Sequence, residues 1–338
     1  MRSFRAVVAG VFICVLTGGL VQAQSGWKVS KTLHVGGEGG WDYVTADPES
    51  HRLFVTRTTH TLILDTDSGK ALGDVPGQKV AHGVAIVPRL NRGFITDGGG
   101  SGAVIVFDLK TYSLLGRLAA VPDADGIIYD PGTDRVLISA GDSNALLTFK
   151  PDIDPQSGKI DPPIPLDGAP EFLAADGQGK AFVNLEDKDV VAVVDLNARK
   201  VIARWPVAPG GKPVGMSMDR TGHRLFVGCR NPQKLVVMNT ENGTVEASLS
   251  IGAGVDATAF TDGQAFASCR DGSLTVAGLK NGKLELEQTV KTPEGARTLT
   301  VDTTNHRIYL PTAELEPATT GRPKAKPGTF MIVVVEPQ

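Results

Sequence analysis

Ionisable side chains recur at one position of a repeated pattern, shortly before short apolar runs. Counting five residues back from the ends of seven such runs gives Asp42, His82, Asp125, Glu171, Val214, Asp256 and Arg297. If the fold gathers these residues at one opening, their charges would repel or desolvate one another unless they pair or bind a ligand. Taken singly, each polar member could instead bond backbone groups of the turn before its strand.

These side chains are compatible with two enzymatic functions. Asp42, His82, Glu171 and Asp256 offer oxygen ligands and one imidazole, a set suited to Ca²⁺, Mg²⁺ or Mn²⁺. A metal-dependent hydrolase or lyase would then use His82 or Glu186 as the base and Arg297 to stabilise developing negative charge. Two of the carboxylates acting without a metal would instead suit glycoside cleavage.

A second set of polar residues follows the next apolar run of each unit. The set comprises Arg57, His60, Asp97, Glu186, Asp187, Arg230, Arg270 and Glu314. Arg230 in "GCRNP" and Arg270 in "SCRDG" occupy matching positions in neighbouring units, so together they could clamp a carboxylate or a phosphate. The alternative is that many of these residues are solvated loop charges.

The elements that would position these residues come from a repeat. Seven segments match, with starts 40 to 45 residues apart: "HRLFVTR", "NRGFITD", "DRVLISA", "GKAFVNL", "HRLFVGC", "GQAFASC" and "HRIYLPT". Apolar runs before and after each segment give every unit four short strands, which is typical of a β-propeller blade. The sequence predicts an all-β, single seven-bladed propeller of four-stranded antiparallel blades over residues 24–338. Residues 27–36 would complete the last blade, formed by residues 297–338, and so close the ring.

The segments "HRLFVTR…TLILDTDSGK" and "HRLFVGCRN…KLVVMNTENGTVEASLSIG" resemble the YVTN-repeat (YncE-like) β-propellers, a group of exported bacterial proteins. The resemblance covers essentially the whole chain after residue 23. It implies the fold and export, whereas propellers of this kind host many unrelated functions.

Residues 1–23 have the pattern of a secretory signal peptide, because Arg2 and Arg5 precede an apolar run that ends at "VQA". A membrane anchor is the alternative, but the run is short for a span. Cleavage would change the formal charge from −3 to −5, which disfavours nucleic acid as a partner. We therefore expect a periplasmic or secreted monomer without a membrane span. Cys229 and Cys269 would be either a disulfide or, as the favoured interpretation, two buried small side chains.

Two further expectations concern function. The stretch "ATTGRPKAK" after Pro317 lengthens one loop of the last blade, and it would form either a lid or contact loop, or a simple surface excursion. No nucleophile paired with a base is recognisable, so binding of a small polar or anionic ligand, or of an exported protein, is favoured over catalysis. Arg230, Arg270 and Arg297 would contact the anion.

Overall fold

The computed structural model of the protein describes residues 26–280, 282–318, 321 and 323–338, and antiparallel β-sheet dominates these residues. The signal peptide expected at residues 1–23 lies outside this range. None of the helices in the described range is long and apolar enough to cross a membrane.

The first part of the described chain contains a strand that joins the C-terminal sheet and then six strands that form one sheet. These strands are β1 (Trp27–His34), β2 (Val44–Asp47), β3 (Arg52–Asp65), β4 (Ala71–Val87), β5 (Arg92–Asp97), β6 (Ala103–Asp108) and β7 (Leu114–Ala119). Short 3₁₀ turns at Pro48–Ser50 and Pro88–Leu90 end β2 and β4.

Four sheets of regular four-strand form follow along the chain. Their strands are β8 (Ala124–Asp130), β9 (Arg135–Ala140), β10 (Ala145–Phe149), β11 (Ile164–Pro165), β12 (Pro170–Ala175), β13 (Lys180–Leu185), β14 (Val190–Asp195), β15 (Lys200–Pro206), β16 (Pro213–Asp219), β17 (Arg224–Arg230), β18 (Gln233–Asn239), β19 (Val245–Ser250), β20 (Val255–Thr261), β21 (Gln264–Cys269), β22 (Ser273–Lys280) and β23 (Lys283–Lys291). A third 3₁₀ turn, Glu186–Lys188, separates β13 from β14.

The C-terminal part closes the ring. It contains β24 (Thr300–Asp302), β25 (Arg307–Thr312), β26 (Leu315–Glu316), β27 (Lys324–Ala325) and β28 (Met331–Pro337). β1 is the outer strand of this sheet and pairs with β28, with Trp27 opposite Pro337 and Leu33 opposite Ile332. The expected pairing of the N-terminal strand with the C-terminal blade is therefore present. β26 and β27 form a separate two-stranded hairpin in the lengthened loop.

The prediction of seven blades is wrong, because the described strands form six blades: five sheets of four strands and one of six. The first two sequence repeats share the six-stranded sheet, β2 to β7. The cause is β4, which is a single continuous strand. It combines the last strand of the first repeat with the first strand of the second repeat, without a turn between them. Its residues 71–76 pair with β3, and after a bulge its residues 81–87 pair with β5.

The core lies between neighbouring sheets and depends on one position of the repeat. The fourth residue of each segment is fully buried, and these residues are Phe54, Phe94, Leu137, Phe182, Phe226, Phe266 and Tyr309. Side chains alternate along a strand, so this residue and the residues two positions before and after it lie on the same face of the blade. Large rings at most of these sites fill the space between blades, so the first strands are fixed around the channel.

Candidate functional site

The residues that the sequence predicts just before the first strands lie in or beside those strands and converge at one end of the channel. They line a cavity of about 360 Å³ together with three arginines and a tyrosine: Asp42, Tyr43, His82, Asp125, Glu171, Arg230, Asp256, Arg270 and Arg297. Val214, the apolar member of the set, is buried and is not among the lining residues. The loop residues Arg230 and Arg270 thus meet the same opening as the ring of carboxylates.

Hydrogen bonds between neighbouring repeats fix the backbone at these positions. The donor is most often the sixth residue of a repeat segment, and the acceptor is the carbonyl of the mouth residue that follows it around the ring. The bonds are Thr56 Oγ1 to His82 O (2.7 Å), Thr96 Oγ1 to Asp125 O (2.5 Å), Asn184 Nδ2 to Val214 O (2.8 Å) and Ser268 Oγ to Arg297 O (2.5 Å). Asp42 is held similarly, since its carbonyl accepts from Thr298 Oγ1 at 2.7 Å. These hydrogen bonds therefore fix the backbone positions from which the mouth side chains extend.

His82 lies between two carboxylates. Its Nδ1 is 2.7 Å from Asp42 Oδ2 and 3.3 Å from Asp125 Oδ1. Burial lowers the pKa of His82, but the hydrogen bond to Asp42 and the charges of Asp125 and Asp42 outweigh it and raise the pKa to about 9. His82 is therefore a cation at neutral pH.

Two of the carboxyl groups hold their protons more tightly than usual. Burial, followed by repulsion from Asp42, raises the pKa of Asp125 to about 7 even though His82 opposes the change. Burial and the charge of Asp125 raise the pKa of Glu171 to about 8 against the attraction of Arg230. Crowding of like charges in a poorly solvated opening is the physical cause in both cases.

Three arginines gather around Asp256, which is 12% exposed. Arg297 Nε is 2.5 Å from Asp256 Oδ2, Arg230 Nη2 contacts Asp256 Oδ1, and Arg270 Nη2 is 3.9 Å from Asp256 Oδ2. Arg297 also donates to the carbonyl of Trp41 at 3.2 Å, and its Nη2 is 3.6 Å from Asp42 Oδ1. Arg230 is further held by Glu186 at 3.4 Å. One carboxylate thus orders a cluster of three guanidinium groups.

Two aromatic rings, one of which lines this cavity, meet across the channel. Tyr43 and Phe172 follow Asp42 and Glu171 in the chain, and their ring centroids are 5.2 Å apart. These residues belong to repeats on different sides of the ring, so their contact crosses the channel. Burial and the charges of Asp125 and Asp42 raise the pKa of Tyr43 well above its ordinary value, so the phenol stays neutral. Tyr43 therefore adds an uncharged ring to the lining of the mouth.

Several residues predicted for the site lie outside this cavity. Arg57 is almost fully buried, stacks 3.8 Å above the Phe330 ring, and donates to the carbonyls of Gly36, Glu38, Gly39 and Gly40. Its burial lowers its pKa to about 10. The structure thus gives Arg57 a role in holding the Gly36–Gly40 loop.

The remaining loop residues are also engaged elsewhere. His60 contacts the Thr59 hydroxyl at 3.2 Å, and Glu314 pairs with Lys326 at 3.1 Å beside the hairpin. Asp97, fully buried, accepts backbone N–H groups of Lys79 and Val80. Asp187 accepts from the backbone N–H of Ala169 and thus joins its turn to the loop before β12.

Cys229 and Cys269 are buried free thiols. Burial raises the pKa of each to about 12. The favoured interpretation of two buried small side chains is confirmed.

The donor set predicted for a metal differs from the one that the fold assembles. Among the described residues, Asp42, His82 and Asp125 each place one ligand atom within 4.8 Å of the others. Asp256 is instead surrounded by arginines, and the imidazole Nδ1 already contacts both Asp42 and Asp125. A divalent ion at this group would have to displace the His82 proton.

The sequence did not single out Trp41, which lines both this cavity and a neighbouring one of about 660 Å³. The larger cavity is also lined by Arg270, Arg297 and the hairpin residues Leu315 and Ala325. The position of Trp41 directly before the ring residue Asp42 was the signal that could have identified it. The long insertion in the last blade, read as a lid or a surface excursion, places its hairpin along this cavity.

Comparison with known proteins identifies the architecture. No protein-family model and no curated protein matches the sequence. Solved structures do match. The WD40 repeats of RRP9 superpose with a TM-score of 0.75 at 10% identity, over 90% of this chain and 97% of that one. The WD40 β-propeller domain of Doa1 gives 0.71 at 13% identity, over 92% and 97%. Kuenenia stuttgartiensis hydrazine synthase gives 0.69 at 14% identity, over 86% and 96%. The fold is thus a β-propeller similar to WD40 domains.

Proposed function

We propose that the protein is an exported β-propeller of the YVTN-repeat kind that binds a small anionic ligand at the channel mouth. The repeat segments support the family, and the pattern of residues 1–23 supports export to the periplasm or the medium. The observation that carries the binding function is the gathering of four cationic groups in one pocket. Arg230, Arg270, Arg297 and His82 are these groups.

The charge balance of the pocket favours an anion. Four cationic groups share the cavity with four carboxyl groups, and two of those, Asp125 and Glu171, have pKa values raised to about 7 and about 8. At neutral pH the cations therefore outnumber the ionised carboxylates. A bound carboxylate would restore neutrality and receive bidentate hydrogen bonds from planar guanidinium groups.

The volume of the mouth cavity favours a small molecule over a flat protein surface, because cavities of about 300 to 1,000 Å³ are typical of small-ligand sites. An exported protein that inserts an acidic side chain into the mouth is the second form that the same recognition could take. Both forms use the same arginines.

Anion binding can be tested by calorimetric titration of the purified protein with inorganic phosphate, acetate and succinate at pH 7 and low salt. We expect binding of at least one of them, weakened about 10-fold or more by Arg270→Gln, since a charge-assisted hydrogen bond contributes about 1.5–3 kcal/mol. The matched control is Arg204→Gln, because Arg204 pairs with Asp167 on the outer surface. Absence of binding to the wild type, or equal loss in both variants, would refute the proposal.

A metal-dependent hydrolase or lyase is the second candidate, and the grouping of Asp42, His82 and Asp125 favours it. Dependence on pH separates the two functions. Binding of Mn²⁺ at this group must strengthen as pH rises from 6 to 9, because the metal competes with the His82 proton. Anion binding must weaken over the same range, because Asp125 and Glu171 ionise. Titrations of Mn²⁺ and of succinate at both pH values therefore decide between them.

A further inference from the structure

The anion pocket opens beside a second, larger cavity. The 660 Å³ cavity shares Gly40, Trp41, Arg270 and Arg297 with the 360 Å³ pocket. The two guanidinium groups therefore stand at the junction, where they can reach a ligand that occupies either side.

One side of the larger cavity is apolar. Leu315 of β26 and Ala325 of β27 contribute to it, as do Pro323 and the ring of Trp41. The hairpin that supplies three of these residues is held by the Leu315–Ala325 pair of its ladder and by the Lys326 N–H, which donates to Glu314 O at 2.8 Å. Within the described residues this hairpin is confined to the last blade, so the apolar wall is an addition to the repeat.

Trp41 supplies the aromatic part of this wall. Its ring packs against Phe330 with centroids 5.7 Å apart, and the Arg297 guanidinium lies 5.8 Å from its ring centroid. The indole Nε1 is enclosed yet has no hydrogen-bond partner among the described residues. The edge of the ring that carries Nε1 is therefore turned into the protein, away from a ligand in the cavity.

We propose that the ligand is a monocarboxylate carried on a flat apolar body. The carboxylate binds Arg270 and Arg297 at the junction, and the apolar body lies in the larger cavity against Trp41 and Leu315. This inference rests on the proposed function, and it specifies the class of ligand.

The acidic residues of the larger cavity favour a single negative charge. Asp271 is already engaged by the protein, because it accepts from the backbone N–H of Ala253, in the loop before β20, at 2.6 Å and from Ser273 Oγ at 2.6 Å. Glu294 also lines the cavity. Its carboxylate would repel a second charge on the ligand, so the body of the ligand must be uncharged.

The test compares acetate, phenylacetate, 1-naphthylacetate and the neutral phenylacetamide by calorimetry. Because apolar burial contributes about 25 cal/mol per Å², 1-naphthylacetate should bind about 30-fold more tightly than acetate. Phenylacetamide should bind about 10-fold more weakly than phenylacetate. Equal affinities for acetate and 1-naphthylacetate would overturn the inference while leaving anion binding intact. Failure of every anion to bind would instead overturn the proposed function.

Two variant pairs locate the apolar body. Leu315→Asn should weaken 1-naphthylacetate about 10-fold without changing acetate, whereas Leu114→Asn, at an exposed site on β7, should change neither. Trp41→Phe should abolish the ligand-induced change in tryptophan fluorescence, whereas Trp205→Phe on β15 should retain it. The comparison of the four ligands on the wild-type protein remains a valid test even if one variant fails to fold. Equal effects within either pair would contradict the placement.

Discussion

Replacing Asp42 by Asn removes one charge from beside His82 while keeping the shape of the side chain. The wild-type pKa of His82 is raised from its ordinary 6.5 to about 9, although burial acts in the opposite direction. Asp42 makes the shorter contact, 2.7 Å against 3.3 Å for Asp125, and both pairs are less than one quarter exposed. We expect the pKa to fall by about one to two pH units in Asp42→Asn. It should not fall further, because Asp125 loses the repulsion of Asp42 and ionises more readily beside the ring.

The same groups make stability depend on pH. His82 has a higher pKa in the folded state, so its stabilisation is complete below pH 6.5 and is lost as pH rises towards 9. Asp125 and Glu171 also have raised pKa values in the folded state, so they lower stability progressively from about pH 4, where the unfolded groups ionise, up to pH 7 and pH 8, where the folded groups ionise. The free energy of unfolding should therefore fall between pH 6.5 and 9, by about 2 kcal/mol after allowing for partial exposure and coupling of these groups. Asp42→Asn should make this dependence shallower.

The assay is an NMR titration of the imidazole Cε1–H signals, combined with urea denaturation at pH 6, 7.5 and 9. The chain has six histidines, and His82→Gln assigns the one that titrates near 9. Asp262→Asn is the matched control, because Asp262 contacts His306 Nδ1 at a similar 2.9 Å but both residues are more than half exposed. That variant should leave the His82 titration unchanged. The reasoning is refuted if His82 titrates near 6.5 in the wild type or if Asp42→Asn leaves its pKa near 9.

Three further predictions concern stability and reactivity. Thr96→Val removes the hydrogen bond to the Asp125 carbonyl and should lower the free energy of unfolding, measured in urea, by about 1 kcal/mol. An unchanged free energy would contradict a stabilising role for this hydrogen bond between repeats. Arg57→Met leaves several buried carbonyls without donors and should cost about 2–4 kcal/mol in the same assay, whereas a cost below 1 kcal/mol would show that water replaces the guanidinium. Cys229 and Cys269 should resist a thiol reagent in the native protein and react fully in denaturant, and rapid native labelling would show that their burial is wrong.

The convergence of the mouth residues could be predicted because it depends on the repeat alone. Once Asp42, His82 and Asp125 occupy the same position in successive units, any closed array of those units brings them to one opening. The sequence also shows that the sixth residue of some segments is polar, as at Thr56 and Thr96. Only the structure shows that these side chains donate hydrogen bonds to the next repeat.

The number of blades could not be predicted, because it depends on backbone geometry that apolar patterning does not encode. The sequence marks a break near Pro76 and Gly77, yet the chain bulges there and continues as β4. The partners of long side chains were also hidden. Arg57 is the seventh residue counted from the start of its repeat segment, and Arg230 is the eighth. Arg57 donates to the Gly36–Gly40 loop, whereas Arg230 contacts Asp256. Both partners lie in other loops, so the spacing of the repeat does not identify them.

The partners within the cluster also determine how a ligand would enter it. Arg297 is close to Asp256 at 2.5 Å and bonds the Trp41 carbonyl, so a ligand that recruits Arg297 must compete with an existing ion pair. The contact of Arg270 with the same carboxylate is longer, at 3.9 Å, and its side chain is 35% exposed. Removing Arg297 would leave Asp256 with less neutralising charge in a poorly solvated site, whereas removing Arg270 would disturb that carboxylate less. Replacing Arg297 should therefore disturb Asp256 more than replacing Arg270 does, and loss of binding in an Arg297 variant should be accompanied by loss of stability.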